Sequence, residues 1–193
     1  FKSYGYNDFI LAAGYKYKMI KTYFNNSKEF NVKVINTGLN TQTGGRILLL
    51  KKYIKDKHFF MTYGDGICDV NIYKLLKFHK TKRCIATLTA VHPPVRFGEL
   101  KFKSQRINVF AEKPQSGVGG INGGFFVRSK YIFKYIKDKK TVFEREPLSS
   151  LAKKKQLYGY KHTGFWQCMD TVRDKNNIRI FIKNNSKKLR WLN

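Results

Sequence analysis

Strand-like and helix-like segments alternate through the first half of this 193-residue chain, and this alternation limits its fold more than any other feature. Four apolar runs have the length and pattern of strands, at residues 7–13, 31–36, 58–63 and 84–91. Segments with helical spacing separate them, at residues 15–24, 43–54 and 70–80. Repeated strand–helix units of this kind predict an α/β layer fold with a mostly parallel sheet.

The pattern changes after Pro93-Pro94, where strand-like segments follow one another directly, at residues 98–103, 107–112 and 121–127. Helical patterns return at residues 129–136, 144–154 and 170–184, with a short strand at 157–161. No linker or internal repeat interrupts the chain. We therefore predict one domain over residues 1–193, with a small β region added to the main sheet.

The chain is strongly basic, with 39 Lys and Arg residues against 12 Asp and Glu and a formal net charge of +27. Such a charge is by itself typical of nucleic-acid-binding proteins. Lysines, however, outnumber arginines by 30 to 9 and are scattered through almost every segment. Because base-reading surfaces favour the planar fork of Arg, the composition favours a generally Lys-rich surface. A nucleic-acid-binding module remains an alternative.

The three cysteines, Cys68, Cys84 and Cys168, are far apart and show no zinc-ligand spacing with the four histidines. They are typical of reduced thiols in a cytoplasmic protein. No segment approaches the roughly 18 apolar residues that a membrane helix needs. The first residues also show no signal-peptide pattern. The sequence therefore predicts a cytoplasmic protein with no membrane partner.

Asp65 lies between Gly64 and Gly66, directly after the predicted strand at 58–63. In open α/β sheets, ligands bind at the carboxyl ends of strands. The two glycines would allow a close backbone approach or a positive φ. A carboxylate at this position suits Mg²⁺. The alternative is a plain Asp-Gly turn, and this segment alone does not decide between the two.

A second loop carboxylate, Asp170, follows Phe165 and Trp166 in the segment GFWQCMDT. One interpretation is that Asp170-Thr171 caps the last helix. The other is that Asp170 meets Asp65 at one edge of the sheet, where two carboxylates would hold a metal ion for phosphate chemistry. The bulky aromatic residues before Asp170 favour the wall of a binding site over a solvent-exposed loop.

Three further segments indicate anion or sugar contacts. Glu112-Lys113-Pro114 ends a strand and would place a cation beside a phosphate, although solvent-facing charges are the simpler interpretation. Asn122 precedes two glycines at the start of a strand. Gly44-Gly45-Arg46 opens a helix, where free N–H groups would bind an anion, although two glycines also suit a flexible loop.

Taken in order, these segments resemble the sugar-phosphate nucleotidyltransferases, and within them the branch that transfers a cytidylyl group. The matching stretches include TGGR at 43–46, TYGDGICD at 62–69, EKP at 112–114, INGGFFV at 121–127 and GFWQ at 164–167. The resemblance runs from the first residues to about Lys175. It implies a three-layer Rossmann-like nucleotidyltransferase fold.

The resemblance also implies an enzyme that converts CTP and α-D-glucose 1-phosphate to CDP-glucose and pyrophosphate with Mg²⁺ as cofactor. Asp65 and Asp170 would be the metal ligands, and together with Lys113 they would be the catalytic residues. The nucleotide is expected to contact Gly45, Arg46 and Gly64. The sugar phosphate is expected to contact Gly98, Glu112, Lys113 and Asn122.

Members of this family open with a strand and a GGxGTRL loop that holds the triphosphate, and this sequence begins after that pattern. The resemblance therefore predicts that the first βα unit is missing and that activity depends on its loop. Because the loop shares in base recognition, a UTP- or dTTP-dependent transferase is an alternative, as is an inactive chain that binds sugar phosphate. A homo-oligomer is also compatible with the resemblance, although the stretch between Phe24 and Val32 is shorter than in the family.

Overall fold

The computed structural model describes residues 1–27, 31–92, 99–103, 105–111 and 120–185. The strands in these ranges are β1 (Asp8–Ala13), β2 (Asn31–Asn36), β3 (His58–Thr62), β4 (Gly66–Cys68), β5 (Ala86–Val91), β6 (Glu99–Lys103), β7 (Arg106–Ala111), β8 (Ile121–Ser129), β9 (Leu157–His162) and β10 (Trp166–Cys168). The helices are α1 (Tyr17–Asn25), α2 (Thr43–Leu50), α3 (Ile72–Lys82), α4 (Glu146–Lys153) and α5 (Val172–Asn185). No helix in these ranges is long and apolar enough to cross a membrane.

The chain divides into two compact units. The first unit consists of residues 1–61, 72–87 and 127–158, and the second of residues 62–71, 88–126 and 159–193. In the first unit β1 and β2 pair in parallel, from Asp8 opposite Asn31 to Ala13 opposite Asn36. Parallel pairing needs a crossover connection, which α1 provides.

The central sheet has four strands in the order β3-β8-β5-β9. Its third strand in sequence, β8, runs antiparallel to β3. In the first unit the Lys130 N–H donates to the Lys57 carbonyl, and in the second the Tyr63 N–H donates to the Gly124 carbonyl. The predicted α/β architecture with a mainly parallel sheet is confirmed, and β8 is an exception to the parallel direction.

The small β region consists of two antiparallel pairs. The predicted strands β6 and β7 pair from Glu99 opposite Ala111 to Lys103 opposite Arg106. The pair β4–β10 was not predicted, because three-residue strands are too short to show an alternating pattern. The helix predicted at 129–136 is a 3₁₀ helix over Lys130–Tyr135.

Aromatic and aliphatic side chains fill the core of the first unit, with Leu75, Ile132, Phe143 and Leu151 fully buried. Arg128 is also fully buried, and its guanidinium carbon lies 3.7 Å from the centroid of the Phe143 ring. This geometry is a cation–π contact, which stabilises a charge that would otherwise be costly inside a core.

A histidine pair is part of the same core. His79 is fully buried, and its ring forms hydrogen bonds with His58 at 3.1 Å and with the Thr87 hydroxyl at 2.9 Å. Burial, with a smaller contribution from His58, lowers the pKa of His79 to about 4. His79 is therefore neutral at physiological pH.

Candidate active site

In the second unit, two short strands bring the carboxylate segments together. Asp65 directly precedes β4, and Asp170 follows β10 by two residues. The strands pair with Gly66 opposite Cys168, and the Met169 N–H donates to the Asp65 carbonyl at 2.8 Å. Both carboxylate side chains belong to exposed residues. The two segments that the sequence analysis expected to meet therefore lie side by side.

A cavity of about 170 Å³ opens beside these segments. Its lining includes Tyr63, Asp65, Gly66, Asn122, Trp166 and Cys168. Asp65 thus lines a partly open cavity, together with an amide side chain and two aromatic rings. This combination is typical of pockets for polar small molecules, in which a few polar groups orient the ligand among apolar walls.

The turn at Asn122 is held by hydrogen bonds within the second unit. The Asn122 Oδ1 accepts from the Gly124 N–H at 3.0 Å, and the Trp166 indole N–H donates to the Gly123 carbonyl at 2.8 Å. Gly124 has a φ of +77°, and a Cβ there would lie 2.8 Å from the Tyr63 ring. Asn122 therefore shapes the cavity wall through its oxygen, and its predicted contact with the sugar phosphate stays a prediction.

Helix α5 is capped by Thr171 and Asp174. The Thr171 hydroxyl accepts from the Asp174 N–H at 3.1 Å, and the Asp174 carboxylate accepts from the Thr171 N–H at 3.0 Å. This reciprocal arrangement is a capping box. The predicted cap at Asp170-Thr171 is therefore confirmed at Thr171, which forms the capping box with Asp174. The Asp170 carboxylate accepts from the Cys168 thiol at 3.3 Å.

The glycines beside Asp65 do not have the positive φ that the sequence analysis expected. Among the described glycines, positive φ angles occur at Gly5, Gly38 and Gly124. A Cβ on Gly64 would meet no atom within 4 Å. A Cβ on Gly66 would make only ordinary contacts, the nearest at 3.7 Å from the Phe125 ring. Packing within the chain therefore does not require glycine at either position.

Arg46 lies in the first unit, at the carboxyl ends of the parallel pair β1–β2. Its guanidinium donates to the Thr37 hydroxyl and, at 3.2 Å, to the Leu39 carbonyl. A Cβ on Gly14 would lie 2.7 Å from the same guanidinium. Because Gly14 and Thr37 directly follow the two strands, Arg46 occupies the edge of the pair where ligands bind in such sheets.

The start of α2 differs from the expected anion site. The N–H groups of Gly44 and Gly45 both donate to the Thr141 carbonyl, at 2.9 and 3.3 Å. A Cβ on Gly45 would collide with the Lys139 backbone. The expectation of free N–H groups is therefore wrong, because a neighbouring loop already uses them. A role for Gly45 in nucleotide binding stays a prediction, and it would not act through this N–H.

Gly98, Glu112 and Lys113 lie outside the described residues. Their predicted contacts with the sugar phosphate stay predictions. Gly64 lies within the described residues and is exposed beside Asp65, and its predicted contact with the nucleotide also stays a prediction.

A cluster in the second unit was missed by the sequence analysis. The His162 Nε2 lies 2.9 Å from a carboxylate oxygen of Asp69, and the Cys68 thiol completes the group. Burial raises the pKa of the Cys68 thiol to about 12. Asp69 stands in the matching stretch TYGDGICD, but nothing local in the sequence links it to His162.

Comparisons with known proteins identify the family of the chain. The model of the nucleotidyl transferase family matches residues 2–182. The glucose-1-phosphate cytidylyltransferase of Salmonella typhimurium is 39% identical over 196 aligned residues, covering 89% of this chain and 76% of that protein. The probable glucose-1-phosphate cytidylyltransferase of Bacillus subtilis is 40% identical, covering 90% of this chain and 77% of the relative.

Among solved structures, HddC from Yersinia pseudotuberculosis complexed with GMP-PN has a TM-score of 0.66 at 23% identity. The alignment covers 87% of this chain and 75% of that one. Together with the family match, this likeness confirms the predicted Rossmann-like nucleotidyltransferase fold. The chain therefore belongs to the nucleotidyl transferase family, and the glucose-1-phosphate cytidylyltransferases are among its relatives.

Proposed function

We propose that this chain transfers a cytidylyl group from CTP to α-D-glucose 1-phosphate, giving CDP-glucose and pyrophosphate. The observation that carries the proposal is the 39–40% identity to glucose-1-phosphate cytidylyltransferases over about nine tenths of the chain. The cavity beside the paired carboxylate segments supports it, because it joins acidic and amide groups in a space suited to a small polar ligand.

In this reaction an oxygen of the sugar phosphate attacks the α-phosphorus of CTP. The bond from that phosphorus to the bridging oxygen breaks in line, and pyrophosphate leaves. The protein has no bond of its own to make, so its contribution is positioning and charge neutralisation. We assign Arg46 to the nucleotide, together with Gly45 and Gly64. We assign the phosphate of the sugar phosphate to Lys113 and its glucose group to Gly98, Glu112 and Asn122.

Members of this family work with a divalent metal, and we propose Mg²⁺ for this chain. The donor set fits the ion, because Asp65 and Asp170 are exposed carboxylates on hydrogen-bonded neighbouring segments. When bound, the metal neutralises negative charge on the phosphates. The open space at Gly64 and the ordinary contacts at Gly66 leave the backbone beside Asp65 accessible to a ligand.

The direct test is pyrophosphate release from CTP, UTP and dTTP in the presence of glucose 1-phosphate and Mg²⁺. It is run on this chain with and without an added N-terminal glycine-rich βα unit, so that dependence on that loop is separable from a wrong reaction. We expect turnover with CTP to exceed turnover with UTP and dTTP. Asp65→Asn and Asp170→Asn should each abolish turnover, whereas Asp56→Asn, an exposed carboxylate in the other unit, should leave it unchanged.

The proposal is contradicted if neither form of the chain, with or without the added unit, turns over any of the three nucleotides. Preference for UTP or dTTP would keep the enzyme class and change the substrate. Near-normal rates in one Asp→Asn variant would exclude that residue as an essential metal ligand. Calorimetry with CTP and with glucose 1-phosphate separately tests binding without turnover. The cytoplasmic location and a homo-oligomer stay predictions.

A further inference from the structure

Three side chains with different ligand atoms meet at the end of β4 in the second unit. The Sγ of Cys68, a carboxylate oxygen of Asp69 and a ring nitrogen of His162 all lie within 4.8 Å of one another. Cys68 ends β4, and His162 ends β9. Folding therefore joins residues from distant parts of the sequence, which explains why ligand spacing along the chain did not reveal the group.

The chemistry of this donor set points to a particular kind of ion. Thiolate sulfur, imidazole nitrogen and a carboxylate oxygen are together the ligands of Zn²⁺. Mg²⁺ takes oxygen ligands, so the cluster is chemically distinct from the carboxylates Asp65 and Asp170. We propose that Cys68, Asp69 and His162 form a zinc site with three protein ligands. A water molecule would complete the tetrahedron.

The packing around the cluster already orients two of the ligands. The His162 Nε2 and Asp69 Oδ1 are 2.9 Å apart, and the His162 side chain is only 11% exposed while that of Asp69 is 39% exposed. Two zinc ligands at tetrahedral positions are separated by about 3.4 Å, so the pair needs to open by only about half an ångström. The more exposed Asp69 provides the entry path.

Backbone atoms of the neighbouring loop also contact Asp69 and His162. The Asp69 N–H donates to the Phe165 carbonyl at 3.2 Å. A Cβ on Gly164 would lie 2.7 Å from the His162 ring and would also collide with the Asp69 carboxylate. The loop after β9 therefore packs directly against both ligands, as expected of a site whose ligand geometry is set before the ion binds.

The site would have a structural effect on the wall of the cavity. Gly66 of β4 lines that cavity, and Cys68 is the last residue of the same three-residue strand. Zinc bound by Cys68 and His162 would link the ends of β4 and β9. We expect zinc to raise the resistance of the chain to unfolding, because an ion that binds only the folded state stabilises it by mass action.

Cobalt(II) is a suitable probe, since it occupies tetrahedral zinc sites and absorbs visible light. Titration of the full chain should give one equivalent of bound Co²⁺ with a thiolate-to-cobalt charge-transfer band, and Zn²⁺ should displace it. Cys68→Ser should remove that band, and His162→Gln should weaken binding at least tenfold, an order-of-magnitude expectation for a lost ligand. Cys168→Ser is the matched control, because Cys168 is also half-buried and contacts a carboxylate.

The control variant should keep the charge-transfer band. The proposal is overturned if the wild-type chain gives no tetrahedral cobalt spectrum. It is also overturned if the band persists in Cys68→Ser or disappears in Cys168→Ser, since the thiolate would then belong to another site. Should Cys68→Ser fail to fold by circular dichroism, Asp69→Asn replaces it, and unchanged cobalt affinity in that variant would equally reject the assignment.

Discussion

The glycines at the start of α2 and the glycines around Asp65 look alike in sequence and differ in structure. Gly44 and Gly45 are buried against residues 139–141, and a Cβ on either would meet backbone atoms. Gly64 and Gly66 have room for a Cβ within the chain itself. The first pair is therefore explained by packing, whereas packing explains neither glycine of the second pair.

The contrast between the two glycine pairs indicates which region of the chain is open to a substrate. The N–H groups of Gly44 and Gly45 at the start of α2 already donate to a neighbouring loop, so these two groups are unavailable to an anion. The segment around Asp65 borders a cavity and has space that the fold does not fill. Substitutions in the two regions should accordingly separate loss of stability from loss of substrate binding.

The largest effect is expected from Gly45→Ala. Its Cβ would collide with the Lys139 backbone, which cannot move aside as a flexible side chain does. Overpacking of this kind costs about 3 kcal/mol of unfolding free energy. Urea denaturation followed by circular dichroism measures the change, with Gly64→Ala as the matched control. A midpoint close to that of the wild-type chain would contradict the packing explanation.

Acidification should weaken the first unit by the next largest amount. Burial lowers the pKa of His79 to about 4, below its ordinary value of 6.5, so the unfolded chain takes up the proton first as the pH falls. Stability is then lost progressively below pH 6.5, by roughly 2 kcal/mol at pH 5. Denaturation between pH 7 and 5 checks this. The loss of unfolding free energy between pH 7 and pH 5 should be smaller in His79→Gln than in the wild-type chain. An equal loss in both would exclude His79 as its source.

A smaller effect is expected from Thr43→Val at the start of α2. The Thr43 hydroxyl donates to the Glu144 carboxylate at 2.6 Å and accepts from the Phe143 N–H at 2.9 Å. Losing both bonds should cost about 1 kcal/mol, measured by urea denaturation. Thr43→Ser keeps the hydroxyl and should recover most of the loss. Equal stabilities for Thr43→Val and wild type would show that the hydroxyl does not hold this loop on α2.

The smallest change in stability is expected around Asp65. Gly66→Ala should alter the unfolding free energy by less than about 0.5 kcal/mol, because its Cβ makes only ordinary contacts. Because Gly66 lines the cavity, its added methyl group would take up space beside the ligand, and the KM for CTP should rise. Gly64→Ala tests the predicted nucleotide contact at the neighbouring position. An unchanged KM in both variants would remove the distinction between the two glycine regions.

Much of the fold could be predicted from local patterns. The strand at 31–36 was predicted with its observed bounds, and no end of β1, α1 or β3 differs from its predicted position by more than two residues. These elements have runs long enough for a period of two or 3.6 residues to appear. The capping box of α5 was also visible in the sequence, as a threonine followed three residues later by an aspartate.

The candidate site could be predicted only in part. Asp65 and Asp170 stand out because each follows an apolar or aromatic segment, and their segments do meet. The pairing that joins them was not predictable, since β4 and β10 are three residues long. Cys68 and His162 were not connected either, because their association depends on how distant strands lie in the folded chain.

Local sequence patterns establish the order and type of the main elements, the family, and the segments that carry carboxylates at the ends of strands. The close packing of Gly45 against Lys139 and the position of Cys68 beside His162 become visible only in the folded chain. The reason is the separation along the chain of the residues that interact. Periodicity and capping act over a few residues along the chain, whereas room for a Cβ or a metal ligand set depends on atoms supplied by residues far away in sequence.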